Sequence, residues 1–91
     1  MKIRFLPAAI DDLDDIRAYI EKDNASAAWV IASFIRRSIN ILQDWPYSGR
    51  ATEQPGVRRH VVMNYPYVVY YRVDEDQVTV LSVTHSARNR G

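Results

Sequence analysis

The chain has 91 residues, 47% of them hydrophobic, no cysteine, and a formal net charge of +1. That is enough chain for one hydrophobic core and too apolar a composition for disorder. It excludes a disulfide framework and a thiolate zinc centre, and it lacks the positive excess that phosphate contacts ask of a nuclease. No apolar run approaches the roughly 18 residues of a membrane span. Met1-Lys2 leads into mixed polar sequence, so no signal peptide is expected and the expected location is cytoplasmic. The charge is unevenly spread. Residues 1–45 carry six Lys/Arg and seven Asp/Glu, residues 46–91 six Arg and four acids.

In chain order, Lys2-Ile3-Arg4-Phe5-Leu6 alternates and predicts a short strand. Pro7 ends it and suits the first turn of a helix. Ile10, Leu13, Ile16 and Ile20 recur at spacings of three and four, which predicts a helix over about 8–22. Asp11, Asp12, Asp14 and Asp15 fall in its first two turns. They read as a solvated, dipole-matched helix start rather than a metal site, because no second ligand group stands at a matching spacing. Asp23-Asn24 breaks the helix, and Asn24 can cap a second one over about Ala25–Asp44. Its stripe is Ala28, Ile31, Phe34/Ile35, Ser38 and Ile41/Leu42. Trp29 and Val30 widen that stripe, which predicts cover on more than one side. The short break makes the two helices an antiparallel hairpin. Arg36-Arg37 reads as outer surface.

Trp45-Pro46-Tyr47-Ser48-Gly49-Arg50 stops the second helix and opens a loop that runs to Gly56. Three β-rich runs follow, Val57–Met63, Tyr67–Val73 and Gln77–Thr84, divided by Asn64-Tyr65-Pro66 and Asp74-Glu75-Asp76. Breaks this short join antiparallel neighbours, so the runs form a three-stranded meander. Its apolar face needs the helices as cover. Strict alternation puts Arg58, His60 and Val62 on one face of the first run, and lets only one of Val80 and Leu81 face the helices. The expected core is Ile3, Phe5, Ile10, Leu13, Ile16, Ile20, Ile31, Phe34, Ile35, Leu42, Val69, Tyr71, Val80 and Leu81.

Little catalytic chemistry can be assembled from these residues. His60 and His85 are the only histidines, and Ser86, next to His85, would point the other way in a strand. The three glycines form no phosphate-binding loop. Two histidines without cysteine make a poor metal set, so no metal or cofactor is expected. The remaining enzymatic option is RNA cleavage, with His85 as acid or base and arginines on the phosphate.

Three sets of residues carry a family resemblance over nearly the whole chain. Residues 9–20, AIDDLDDIRAYI, resemble the first helix of the RelE/ParE superfamily of type II toxins. Leu42 to Arg50 is similar to its helix-ending L-x-x-x-P-x-x-G-R. Val57-Arg58, residues 67–73 and residues 80–88 resemble its three closing strands. The resemblance implies an α+β fold over residues 1–91 as a single toxin domain. An N-terminal strand and an antiparallel two-helix hairpin would pack on an antiparallel sheet closed by the meander. It also implies a cognate antitoxin, encoded by the adjacent gene and bound as a hetero-oligomer.

Within the superfamily, RelE-like members cut messenger RNA on the ribosome, and ParE-like members are known for poisoning DNA gyrase. RelE-like nucleases carry an arginine inside the third strand of the pattern, where this chain has Val68. Several of them end on a functional tyrosine, and this chain has none after His85. The sequence therefore resembles the ParE-like branch, which implies gyrase as target, no direct nucleic-acid binding and no membrane. Arg58, Arg72, His85, Arg88 and Arg90 are the expected antitoxin- or target-binding residues. His85, Arg58 and Arg72 are the catalytic set of the alternative, a ribosome-dependent mRNA interferase. An inactive relative that serves only as a binding module is the third reading. His60 stands where an apolar residue is usual in the family.

Overall fold

A computed structural model describes residues 1–86. The elements are β1 (Lys2–Phe5), α1 (Pro7–Glu21), α2 (Ala25–Asn40), β2 (Arg50–Ala51), β3 (Val57–Val61), β4 (Tyr67–Val73) and β5 (Gln77–His85). A single 3-10 turn, Ile41–Gln43, extends α2. The sheet order is β1-β5-β4-β3-β2. The meander is antiparallel, as its short connections require. β1 joins β5 in parallel, because the helical hairpin carries the chain back across the sheet before β5 is laid down. The sheet is therefore mixed. Arg50–Ala51, expected as loop, pairs with Arg59 and Arg58 at the far edge.

Pro7 starts α1, and the Asn24 side chain caps α2 by accepting from the Ala27 amide at 3.0 Å. The acidic run does not occupy the first turn of α1. One member of it reaches the sheet instead, where the Asp12 carboxylate accepts the Val83 amide of β5 at 2.9 Å. That bond ties α1 to a β-bulge. Tyr70 pairs with Ser82 but Tyr71 with Val80, which leaves Leu81 as the extra residue. The bulge shifts the alternation by one. Val78 and Val80 face the helices before it, and Val83 and His85 after it, so strict alternation fails along β5.

The core lies between the hairpin and this face. Leu13, Ile16, Ile35, Ile39, Val69, Tyr71 and Val80 form its centre, with Ile3, Phe5, Ile20, Ile31 and Phe34 packed against it. Three sequence expectations are corrected. Ile10 is exposed, because the helix-period stripe passes to Ala9 at the sheet. Ile41 is exposed while Leu42 is buried. Trp29 and Val30 are 62% and 59% exposed, so α2 is covered on one side only among the described residues. His60 keeps its place on the helix-facing side of β3 because Ser38 of α2 meets it, Oγ to Nε2 at 2.8 Å. A small polar residue on the helix stripe thus accommodates a polar residue on the strand.

Candidate functional site

The loop after α2 is pinned to the sheet by a buried phenol. Tyr71 Oη donates to the Pro46 carbonyl at 2.8 Å and accepts the Gly49 amide at 2.9 Å. A Cβ on Gly49 would stand 2.5 Å from that oxygen and 2.7 Å from the Arg59 carbonyl, so the close approach requires glycine. Burial raises the Tyr71 pKa, and the Gly49 amide and the Arg58 charge oppose the rise. Arg58 donates to the Gly49 carbonyl at 2.8 Å and lies over the Tyr47 ring at 5.0 Å. Pro46 and Gly49 of the sequence motif, with Arg58 of β3, thus build a loop anchor.

Arg72 faces the opposite side of the sheet. Register places Lys2, Arg4, Arg50, Arg59 and Arg72 together on that side, all exposed. Arg50 and Arg59 are direct cross-strand partners, an unfavourable like-charge pair in isolation. Val57, Val68 and Thr79 lie among them and are buried. The turn between β4 and β5 carries three acids, Asp74, Glu75 and Asp76, of which Asp74 accepts from Thr79 Oγ1 at 3.3 Å.

His85 ends β5 on the helix-facing side, paired with Tyr67, whose ring meets it edge-on at 5.5 Å. It lines a groove of about 560 Å³ with Asp12, Asp15, Tyr19 and Lys22 of α1. A second groove, about 340 Å³, runs between the helices beside Leu13, Arg17, Trp29 and Arg36.

The three residues of the nuclease alternative do not converge. Arg58 and His85 flank β4 opposite Tyr71 and Tyr67, four residues apart. At about 3.4 Å per residue and 4.8 Å per strand their Cα atoms are roughly 17 Å apart. Arg72 is on the other face. Arg88 and Arg90 lie outside the described residues. No group of three or more His, Asp or Glu side chains gathers at metal-binding spacing among the described residues. Sequence reasoning missed Arg50 and Arg59 as a pair, because Pro46 and Gly49 mark the segment around Arg50 as loop. It also missed Trp45 and Tyr47 as a surface. Their signal was two large aromatics beside Pro46 and Gly49, in a segment too short to bury them.

A helical hairpin on one face of a five-stranded mixed sheet matches the fold of ParE/RelE toxins. Known proteins agree with that reading. Residues 3–90 match the family described as ParE toxin of type II toxin-antitoxin system, parDE. The chain is 36% identical over 85 residues to the protein Y4kP of Sinorhizobium fredii, covering 93% of this chain and 88% of that one. It is 31% identical over 80 residues to Toxin RelE2 of Caulobacter vibrioides, covering 88% and 89%. The fold is shared with a chain of the chromosomal ParDE TA system from P. aeruginosa, at a TM-score of 0.86, 24% identity and coverage of 93% and 95%. It is shared more loosely with a chain of the RelBE2 toxin-antitoxin complex from Mycobacterium tuberculosis, at 0.59, 21%, 92% and 95%. The chain belongs to the ParE toxin family and is a toxin of a type II toxin–antitoxin system. No helix among the described residues is long and apolar enough to cross a membrane.

Proposed function

We propose that this toxin acts in the cytoplasm as a ParE-like binder of DNA gyrase and is held inactive by an antitoxin from the adjacent gene. The observation that carries the reading is the scatter of the nuclease set. Arg58 is spent on the Gly49 carbonyl and the Tyr47 ring, roughly 17 Å from His85 by strand spacing. An acid–base pair and a phosphate ligand must sit within hydrogen-bond reach of one reacting group. Val68, where RelE-like nucleases carry arginine, is 1% exposed.

The antitoxin reading rests on charge and shape. A partner tail that folds on binding can fill the grooves beside α1 and lay carboxylates along Arg4, Arg72 and Arg59. Arg58 contributes less to this contact than its sequence position implied, because its guanidinium already has partners.

The test is a supercoiling assay with purified gyrase and folded toxin. The expected result is inhibition that the antitoxin relieves. An unchanged supercoiling rate at large molar excess of toxin rejects gyrase as target. The 31% identity to a protein named RelE2 favours testing the interferase alternative in parallel, by mapping cuts in ribosome-bound RNA.

A further inference from the structure

β5 is longer than the strand that covers it. It spans Gln77–His85, and β1 accompanies it only to Val80, where the Leu6 amide makes the last bond to the Val80 carbonyl. Past that point no strand lies beside the outer edge of β5 among the described residues. A side chain takes the missing strand's place at one position. The Val83 amide points away from β4 and donates to the Asp12 carboxylate at 2.9 Å. In an antiparallel ladder the N–H and C=O of one residue point to the same side, and every second residue repeats the pattern. The Val83 carbonyl and the His85 main chain therefore face that same edge. No described residue donates to the Val83 carbonyl. This edge is one wall of the larger groove, and α1 is the other. Asp12, Asp15, Tyr19 and Lys22 recur at spacings of three and four, so they turn one stripe of α1 toward it, with exposed Ala18 among them. From Asp12 to Lys22 the stripe is about 15 Å long, the length of four to five residues of extended chain.

We propose that this groove takes an extended segment of the antitoxin as an added strand, laid along β5 beyond the end of β1. An amide of that segment donates to the Val83 carbonyl, a carboxylate of it lies toward Lys22, and a basic side chain lies toward Asp15. The proposal rests on the antitoxin reading and adds where and in what conformation the tail is held. Main-chain groups at a strand edge select an extended polypeptide, whatever its side chains. A helix cannot supply that pairing, because its own N–H and C=O groups are bonded to one another. Two carboxylates against one lysine disfavour a nucleic-acid backbone. A second copy carries the same edge inside the same groove, so two copies cannot pair these edges symmetrically.

The experiment uses the full chain and the small protein encoded by the adjacent gene, with Ala18→Arg and Lys22→Glu as variants. Arginine is a good helix former, so Ala18→Arg fills the groove while α1 stays folded, and thermal melts check this. Affinity is measured by titration calorimetry. Ala18→Arg is expected to weaken binding at least about tenfold, and Lys22→Glu at least about threefold. In the isotope-labelled complex of the unmutated chain, nuclear Overhauser contacts are expected between antitoxin backbone protons and the backbone of residues 83–85, in the pattern of paired strands. Full-strength binding by both variants overturns the site. Absence of those contacts, or a helical antitoxin segment in the groove, overturns the added strand while the pairing of toxin with antitoxin stands. Self-association of the unmutated chain that Ala18→Arg abolishes assigns the groove to a second copy. Binding of a single-stranded oligonucleotide that Ala18→Arg abolishes assigns it to nucleic acid. If the unmutated chain does not bind the adjacent protein, the antitoxin reading falls and this groove's assignment with it.

Discussion

The phenol of Tyr71 and the backbone amide of Gly49 meet at 2.9 Å across 22 residues of chain, and their contact sets the shape of the turn between the helices and the sheet. One oxygen serves two backbone groups, accepting from Gly49 and donating to Pro46. The contact is tight because Gly49 has no side chain.

Gly49→Ala should therefore destabilise the fold. The new methyl meets both the Tyr71 oxygen and the Arg59 backbone, so the turn must shift, at about 1–3 kcal/mol. Tyr71→Phe leaves buried backbone groups unpaired, at a similar cost of about 1–3 kcal/mol. The double variant should lose less than the sum, because removing the phenol oxygen removes one of the three close contacts, leaving the Arg59 carbonyl and Tyr71 Cε1. Thermal or urea melts of the three variants check this, and strict additivity would contradict it.

Ser38 and His60 give a pH dependence with a definite sign. Burial lowers the His60 pKa from 6.5, and hydrogen bonding to Ser38 opposes the shift. The unfolded chain therefore binds the proton more readily. Stability from this residue is full above 6.5, the ordinary histidine value, and is lost as pH falls through 6.5 toward the folded pKa. Melting temperature should drop between about pH 7.5 and pH 5, and His60→Gln should flatten that part of the curve. An equal slope in both proteins would remove His60 as the cause.

The contrast between these two contacts shows what a sequence carries. The hairpin and the meander were legible because local spacing encodes them: Leu13 and Ile16 on one helix face, short breaks between Val-rich runs. The parallel seat of β1 and the pairing of Arg50 with Arg59 were not, because nothing local to Ile3 or Arg50 names a partner. The bulge at Leu81 was hidden for the same reason. It moves Val83 to the helix side, where Asp12 meets its amide, and no alternation rule announces the skipped residue. His60 looked misplaced because Ser38, its partner, is 22 residues away. At the candidate site, Arg58 was legible as important. Its engagement with Gly49 and Tyr47 required the folded turn.

The Arg50–Arg59 pair should be a source of avoidable repulsion in the free toxin. Arg59→Glu turns a like-charge cross-strand pair into an opposite-charge one. The gain should be about 0.2–1 kcal/mol, smaller at high salt. Toxicity should fall at the same time if these arginines meet carboxylates on a partner. A more stable protein with unchanged growth inhibition would show that the pair has no binding role.

Val68→Arg separates a missing phosphate ligand from a packing residue. Sequence resemblance alone suggests that the arginine would restore an RNA contact. Val68 is 1% exposed, paired between Val61 and Thr84. A longer, charged side chain there overpacks its surroundings at about 1–3 kcal/mol, with the desolvation of the guanidinium added. The expected result is a lower melting temperature and no RNA cleavage. Cleavage gained by a stably folded Val68→Arg would favour the interferase.

His85 decides most directly between a binder and an enzyme. Its ring packs on Tyr67 and lines the groove with Asp12 and Asp15, on the side of the sheet away from Arg72 and roughly 17 Å from Arg58. A proton-transfer residue in that position stands apart from Arg58 and Arg72, and the cation that lines its groove is Lys22. His85→Gln keeps much of the shape and removes the acid–base function. If His85 moves a proton, inhibition should fall by about 10²–10⁴. If it is a contact residue, the change should stay within about 1 kcal/mol, roughly fivefold. The smaller effect is expected. Growth inhibition is measured beside Arg88→Ala/Arg90→Ala at matched protein levels, with ribosome-bound RNA mapped for new 5′ ends. The arginine pair should cost more than His85→Gln, since two cations close together in the sequence suit an acidic partner surface. New RNA ends in the unmutated case that vanish with His85→Gln would reverse the assignment.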